Sequence, residues 1–206
     1  GICQEICPAD AIDYSQEDRT IEIDAGAVVL APGFCLFDPA QKPALGYQTY
    51  PDVVSSLQFE RILSASGPCN GKVLRPSNGE TPERIAFIQC VGSRDAQHEY
   101  CSSVCCMYAV KEAIMAMEHE SGLECEIFYM DIRAHGKGFD EYVERAKRMG
   151  IKFTRCRPAK VEEQTSGRLL VGYVDEDTQR YGEGEFDLLV LSAGLEPPRD
   201  IRDLAE

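Results

Sequence analysis

The chain has 206 residues with 35 acidic and 21 basic side chains, a formal charge of −14. Its length suits one or two domains with a buried core, and 44% hydrophobic with 27% charged residues excludes a disordered chain. The acidic balance sets nucleic acid aside as a partner, and no apolar run approaches the roughly 18 residues that cross a membrane as a helix.

The first residues include Cys3-x3-Cys7-Pro8, which matches the last part of the bacterial ferredoxin run C-x2-C-x2-C-x3-C-P. The first two cysteines of that run fall before Gly1, so the chain reads as a piece of a longer protein. Two ligands alone cannot hold a cubane. The competing reading is two unrelated cysteines beside a helix-starting proline. Ile21–Asp24 alternates and Ala25–Gly33 is an apolar run closed by Ala31, Pro32 and Gly33, which predicts a hairpin feeding a buried strand. Residues 34–82 are rich in Pro, Gly and Ser, with one helix near Ser55–Ala65 that Ser56 could cap. Then come a strand at Arg84–Val91, a long helix at Ser102–Glu118, a strand at Glu124–Ile132, a helix at Phe139–Met149 and a strand at Ile151–Arg155. Ala159–Gln164 and Leu169–Asp175 read as a meander turning at Ser166-Gly167, and Glu185–Ser192 as an apolar strand ending in Ala193-Gly194. Alternating strands and helices followed by a meander predict an α/β, Rossmann-like dinucleotide-binding domain.

The strand–helix turn that should cradle phosphates departs from that plan. Gly-x-Gly-x-x-Gly is expected, yet the strand runs into Cys90-Val-Gly-Ser-Arg-Asp95 and then Cys101-Ser-Ser-Val-Cys105-Cys106, with Gly92 the only glycine. Four cysteines stand where glycines belong, which reads as a site that has exchanged pyrophosphate for metal. At 100° per residue Cys101, Cys105 and Cys106 cannot all point from one regular helix to one small ligand. Cys101 is therefore placed in the loop, Cys105 and Cys106 on the first helical turn and Cys90 at the strand end. The helix N-terminus stabilises a thiolate-ligated anion. Zinc on four thiolates is a rival, although adjacent ligands depart from the usual zinc knuckle. Buried small hydrophobes, a strained disulfide and a redox dithiol are further readings of the same cysteines. Cys35, Cys69, Cys125 and Cys156 are scattered and read as structural.

Ile88-Gln-Cys-Val-Gly-Ser-Arg-Asp95, Tyr100-Cys-Ser-Ser-Val-Cys-Cys-Met-Tyr-Ala109 and Lys111-Glu112-Ala113 closely resemble the flavin-bearing A-subunit of heterodisulfide reductases. The likeness continues through Leu63–Gly67, Gly71–Pro76, Asp131–Ala134 and Gly136–Gly138. The family also includes subunits of quinone-interacting membrane-bound oxidoreductases. The resemblance implies a two-dinucleotide, thioredoxin-reductase-like flavoprotein fold with a [4Fe–4S] cluster on Cys90, Cys101, Cys105 and Cys106 beside FAD. Cys3 and Cys7 would belong to a ferredoxin-like insert with its own cluster. Ala31, Pro32, Gly33, Ala193 and Gly194 would mark crossings near the flavin, and Lys111 could set a cation by its ring. The missing glycine-rich fingerprint would place most of the FAD site before Gly1.

The domain plan is then 1–18, the tail of a ferredoxin-like insert; 19–82, part of the FAD domain and a crossover; 83–184, the Rossmann-like inserted domain; and 185–206, a return strand. The implied function is a cytoplasmic electron-transfer oxidoreductase segment, inactive when isolated. Its implied partners are other heterodisulfide-reductase-type subunits, hydrogenase or dehydrogenase electron-transfer subunits, or a membrane quinone-interacting subunit. An NAD(P)H-dependent flavoprotein domain and a structural zinc-binding docking module are the alternatives.

Overall fold

The computed structural model describes residues 1–205. A short helix α1 (Ile2–Glu5) and strand β1 (Cys35–Leu36) precede two 3-10 turns at Pro39–Gln41 and Pro43–Leu45. Strand β2 (Val53–Ser55) leads directly into helix α2 (Ser56–Leu63). A βαβαβ run follows: β3 (Arg84–Val91), α3 (Cys105–His119), β4 (Glu124–Tyr129), α4 (Phe139–Arg148) and β5 (Lys152–Arg155). Strands β6 (Lys160–Glu163), β7 (Leu169–Asp175) and β8 (Arg180–Phe186) form an antiparallel meander. The chain continues through β9 (Leu188–Ala193), β10 (Leu195–Glu196) and α5 (Ile201–Ala205).

Five parallel strands form one sheet in the order β2-β9-β3-β4-β5. Every residue of β9, and every residue of β3 after Arg84, is buried, which is why both read as near-continuous apolar runs. Side-chain alternation splits the interior in two. Ile85, Phe87, Ile127, Leu188 and Val190 pack with Phe59 of α2 and Ala109, Ala113 and Ile114 of α3. Ile88, Phe128, Leu189 and Leu191 pack on the other side with Leu169, Val171 and Phe186 of the meander. Each fully buried Leu, Ile or Phe contributes about 1.5–3 kcal/mol, so both layers are needed to hold the sheet. Moving from β3, the chain lays β4 and β5 on one side and β9 on the other. That reversal makes the carboxyl ends of β3 and β9 a topological switch point, the usual ligand position in such sheets. The sheet takes in β2 and β9, strands outside the 83–184 span expected for the inserted domain.

Several expectations are corrected. Residues 21–33 form neither a hairpin nor a buried strand: Val28 is 77% and Val29 90% exposed, and no described strand pairs with them. An apolar run without a neighbour gains no burial, and its backbone stays with water. The cap of α2 is Ser55, not Ser56. Its hydroxyl accepts the Gln58 N–H while the Gln58 side chain accepts the Ser55 N–H, a complete capping box. The long helix starts at Cys105 rather than Ser102, because Ser103 sits at φ 61°, outside right-handed helical space. The strand from Glu124 stops at Tyr129 instead of Ile132, where pairing with β5 ends. Glu185–Ser192 is two strands that break at Asp187, whose carboxylate accepts the N–H groups of Glu83 and Arg84, each at 2.9 Å.

Candidate metal centre

The site is built by an irregularity at the end of β3. The register with β9 slips between Ile88 and Val91, and Cys90 lies at φ 59° within the bulge. A bulge inserts an extra residue and re-aims its side chain, here a thiol only 8% exposed. Gly92 follows at φ 71°, and a Cβ on it would lie within 2.0–2.4 Å of the Phe37 ring. The only glycine of the turn is thus closed by an aromatic ring, leaving no cradle for a pyrophosphate.

Residues 93–104 then fold back onto the end of β9. Ser93 Oγ donates to the Tyr100 carbonyl at 2.9 Å, and Tyr100 Oη donates to the Leu195 carbonyl at 3.0 Å. Ser102 Oγ accepts the Leu195 N–H at 2.8 Å. A Cβ on Gly194 would meet the Gly92 carbonyl and Ser102 Oγ at 3.0 Å, so the close approach of the two segments requires glycine there. Helix α3 begins behind Val104, which gives it no side-chain cap. Its unpaired N–H groups and positive end therefore face the loop.

This framework sets Cys90, Cys101, Cys105 and Cys106 near enough to act on one another electrostatically. Burial pushes the Cys90 thiol up to about 11, and Cys106, Cys105 and Cys101 push the same way, with Arg94 opposing. Burial likewise raises Cys105, where Tyr108 opposes, and Cys106, where the Arg133 N–H opposes. That N–H donates to Cys106 Sγ at 3.4 Å, and the Ser103 N–H donates to Cys101 Sγ at 3.3 Å. Tyr108 Oη donates to the Ala193 carbonyl at 2.5 Å, and the same carbonyl receives the Cys105 thiol at 3.6 Å. Among the described residues no three His, Cys, Asp or Glu side chains are grouped tightly enough for one metal ion.

Charge surrounds the thiols. Asp131, just past β4, is ion-paired with Arg94 and accepts Nε of Arg133 at 3.3 Å, although burial opposes its ionisation. Asp131 stands where a nucleotide domain of this kind holds a ribose with an acid, and the two arginines that engage it are not singled out by the sequence; an Arg two residues after a strand-end acid is the available signal. Gln89 and Ser192 follow Phe87 and Val190 in the strand alternation. The amide of Gln89 and the hydroxyl of Ser192 are buried without a hydrogen-bond partner. The backbone N–H groups on sulfur and the four thiols are the chemistry that an iron–sulfur group takes.

Other expected site residues lie apart from the thiols. Cys3 is exposed on α1, and Cys7 is half-buried and accepts the Ala11 N–H at 3.4 Å. Ala31, Pro32 and Gly33 are exposed, and nothing lies within 4 Å of a Cβ built on Gly33. Lys111 is exposed on α3, whereas its neighbour Glu112 is buried with one carboxyl oxygen unpartnered. Burial raises Glu112 to about 9, with Glu60 adding and Lys111 opposing.

No family model matches the chain. It is 46% identical over 201 residues to the A-subunit of a ferredoxin:CoB-CoM heterodisulfide reductase from Methanosarcina mazei, covering 97% of this chain and 25% of that protein. It is 43% identical over 208 residues to the A-subunit of an H(2):CoB-CoM heterodisulfide,ferredoxin reductase from Methanothermobacter marburgensis, covering 100% and 32%. It is 47% identical over 202 residues to an iron-sulfur A-subunit of CoB--CoM heterodisulfide reductase from Methanopyrus kandleri, covering 96% and 31%. Among solved structures, thioredoxin reductase from T. acidophilum aligns with a TM-score of 0.47 at 13% identity, over 82% of this chain and 43% of that one. The chain spans about a quarter to a third of the length of the curated relatives it matches. Over nearly its whole length, the chain is similar in sequence to one part of the A-subunits of heterodisulfide reductases.

Proposed function

We propose that this segment holds a [4Fe–4S] cluster on Cys90, Cys101, Cys105 and Cys106 and works in electron transfer within an oxidoreductase. The observation that carries the reading is the gathering of four thiols at the uncapped start of α3, at the switch point where the glycine loop is missing. Such a cluster supplies reversible one-electron storage. The chain's own residues supply ligation, screening and insulation. The bulge turns Cys90 inward, Ser103 and Arg133 donate N–H groups to the sulfurs, and the packed ends of β3 and β9 limit water.

A flavin beside the cluster, with Ala193, Gly194 and Lys111 on its side and Ala31, Pro32 and Gly33 at a further crossing, extends the proposal. The β3–α3 turn cannot seat its pyrophosphate, since Gly92 is closed by Phe37. A second cluster on Cys3 and Cys7, completed by other ligands, belongs to the same proposal. So does relay to partner subunits; the relatives' names include ferredoxin and H2 as reaction partners. No helix is long and apolar enough to cross a membrane among the described residues.

The test is anaerobic expression of the full-length parent with iron, sulfide, zinc and flavin quantified together. Serine at any of positions 90, 101, 105 or 106 is expected to remove one cluster's iron and sulfide. Cys125→Ser is expected to leave them in place. Zinc without iron would establish the docking-module alternative, and saturation of the cluster-free parent by NADH would establish the nicotinamide one.

A further inference from the structure

The loop after β3 and the segment after β4 bring two guanidiniums to one carboxylate at the rim of the thiol site. Arg94, itself at φ 56°, and Arg133 both pair with Asp131, which leaves one positive charge uncompensated by that acid. Arg133 is also tied to the site by its main chain, whose N–H donates to Cys106 Sγ at 3.4 Å. Its guanidinium is held protonated chiefly by Asp131 and also by Cys101, and Arg94 acts in the same sense on Cys90. An acid at the end of the second strand of such a sheet commonly holds a ribose. Here that acid is engaged by arginines that face sulfur.

We infer that Arg133, oriented by Asp131 and assisted by Arg94, raises the midpoint potential of the cluster. The inference rests on the cluster reading above. One electron from a low-potential one-electron reductant adds one negative charge inside the thiolate ring. No proton moves, and no bond of the protein forms or breaks. A fixed cation at the rim stabilises that added charge, screened in part because the Arg133 side chain is 38% exposed. Arg133 is a positioning and tuning residue, since its partners are the ligating sulfurs and Asp131.

The experiment is an EPR-monitored redox titration of the full-length parent with its Arg133→Gln and Arg133→Lys variants, after iron and sulfide are quantified in each. Arg133→Gln is expected to keep its iron and to lose about tenfold in the reduction equilibrium at a set ambient potential. For a one-electron couple that is about 59 mV toward more negative values. Arg133→Lys is expected to stay close to the parent. A loaded Arg133→Gln with the parent's midpoint overturns the inference, as does a lysine variant displaced as far as the glutamine one. Loss of iron from Arg133→Gln alone overturns it in favour of a purely structural role. A parent without iron overturns the cluster reading as well, so the two failures are distinguishable.

Discussion

The thiolate, not the thiol, attacks alkylating agents and binds metal, and the cysteines of this chain differ in how readily they ionise. Backbone N–H groups, Ala11 first, hold the thiol of Cys7 below its ordinary value, whereas burial pushes Cys90 up to about 11. In the metal-free chain, iodoacetamide at pH 7.5 is expected to label Cys7 well before Cys90, Cys105 or Cys106, as read by peptide mass spectrometry. Equal rates would contradict the burial of the thiol site. Glu112 yields a prediction for stability. Its carboxyl is raised by burial from 4.5 to about 9, so folding favours its protonated form. That contribution is complete below about pH 4.5 and is lost as pH rises through about 9. By pH 7 the loss is about 3 kcal/mol. Glu112→Gln is expected to remove this slope and to unfold at higher urea than the parent at pH 8, with little difference at pH 4.5. A parallel pH dependence in both proteins would contradict it.

At the scale of elements, the turn from β3 into α3 depends on Gly92. Gly92→Ala must place a methyl group in the Phe37 ring at a positive φ. The expected cost is about 3 kcal/mol with loss of metal uptake, measured by urea unfolding and iron content. An alanine variant with unchanged stability would show that the turn can relax. Strand β3 is legible in the sequence as a near-continuous apolar run because both of its faces are buried, and the body of α3 by its helically spaced apolar face. The meander's third strand is not. Tyr181-Gly-Glu-Gly-Glu offers little apolar side to read, and β8 stands only because it pairs with β7 and lays Phe186 against Phe128. The gathering of four cysteines is legible as an anomaly, a glycine loop without its glycines. The bulge that turns Cys90 and the pairing of Arg94 with Asp131, 37 residues apart, are not. Neither leaves a spacing rule in the sequence.

Across the whole molecule, one side of the central sheet is covered by helices and the other by the meander, and ion pairs fasten the edges. Asp52, nearly fully buried, accepts Nε and Nη2 of Arg75 at 3.0 and 2.6 Å, while the same Nη2 donates to the Gly167 carbonyl at 2.9 Å. The edge strand, the loop after α2 and the meander turn are thereby joined. Residues 21–34 stand outside this closed body, with Ile23, Val28, Val29 and Phe34 turned to solvent. Within it Ala25–Leu30 is uncharged and carries the β-branched pair Val28-Val29, a template on which identical chains can stack edge to edge. The free segment is therefore expected to self-associate as its concentration rises, with Asp24 and Pro32 limiting how far the stacking spreads. Val29→Lys should keep it monomeric in sedimentation velocity, while an unchanged association profile would place the sticky surface elsewhere. An apolar stretch left to solvent is thus the first part of the chain expected to betray itself as concentration rises.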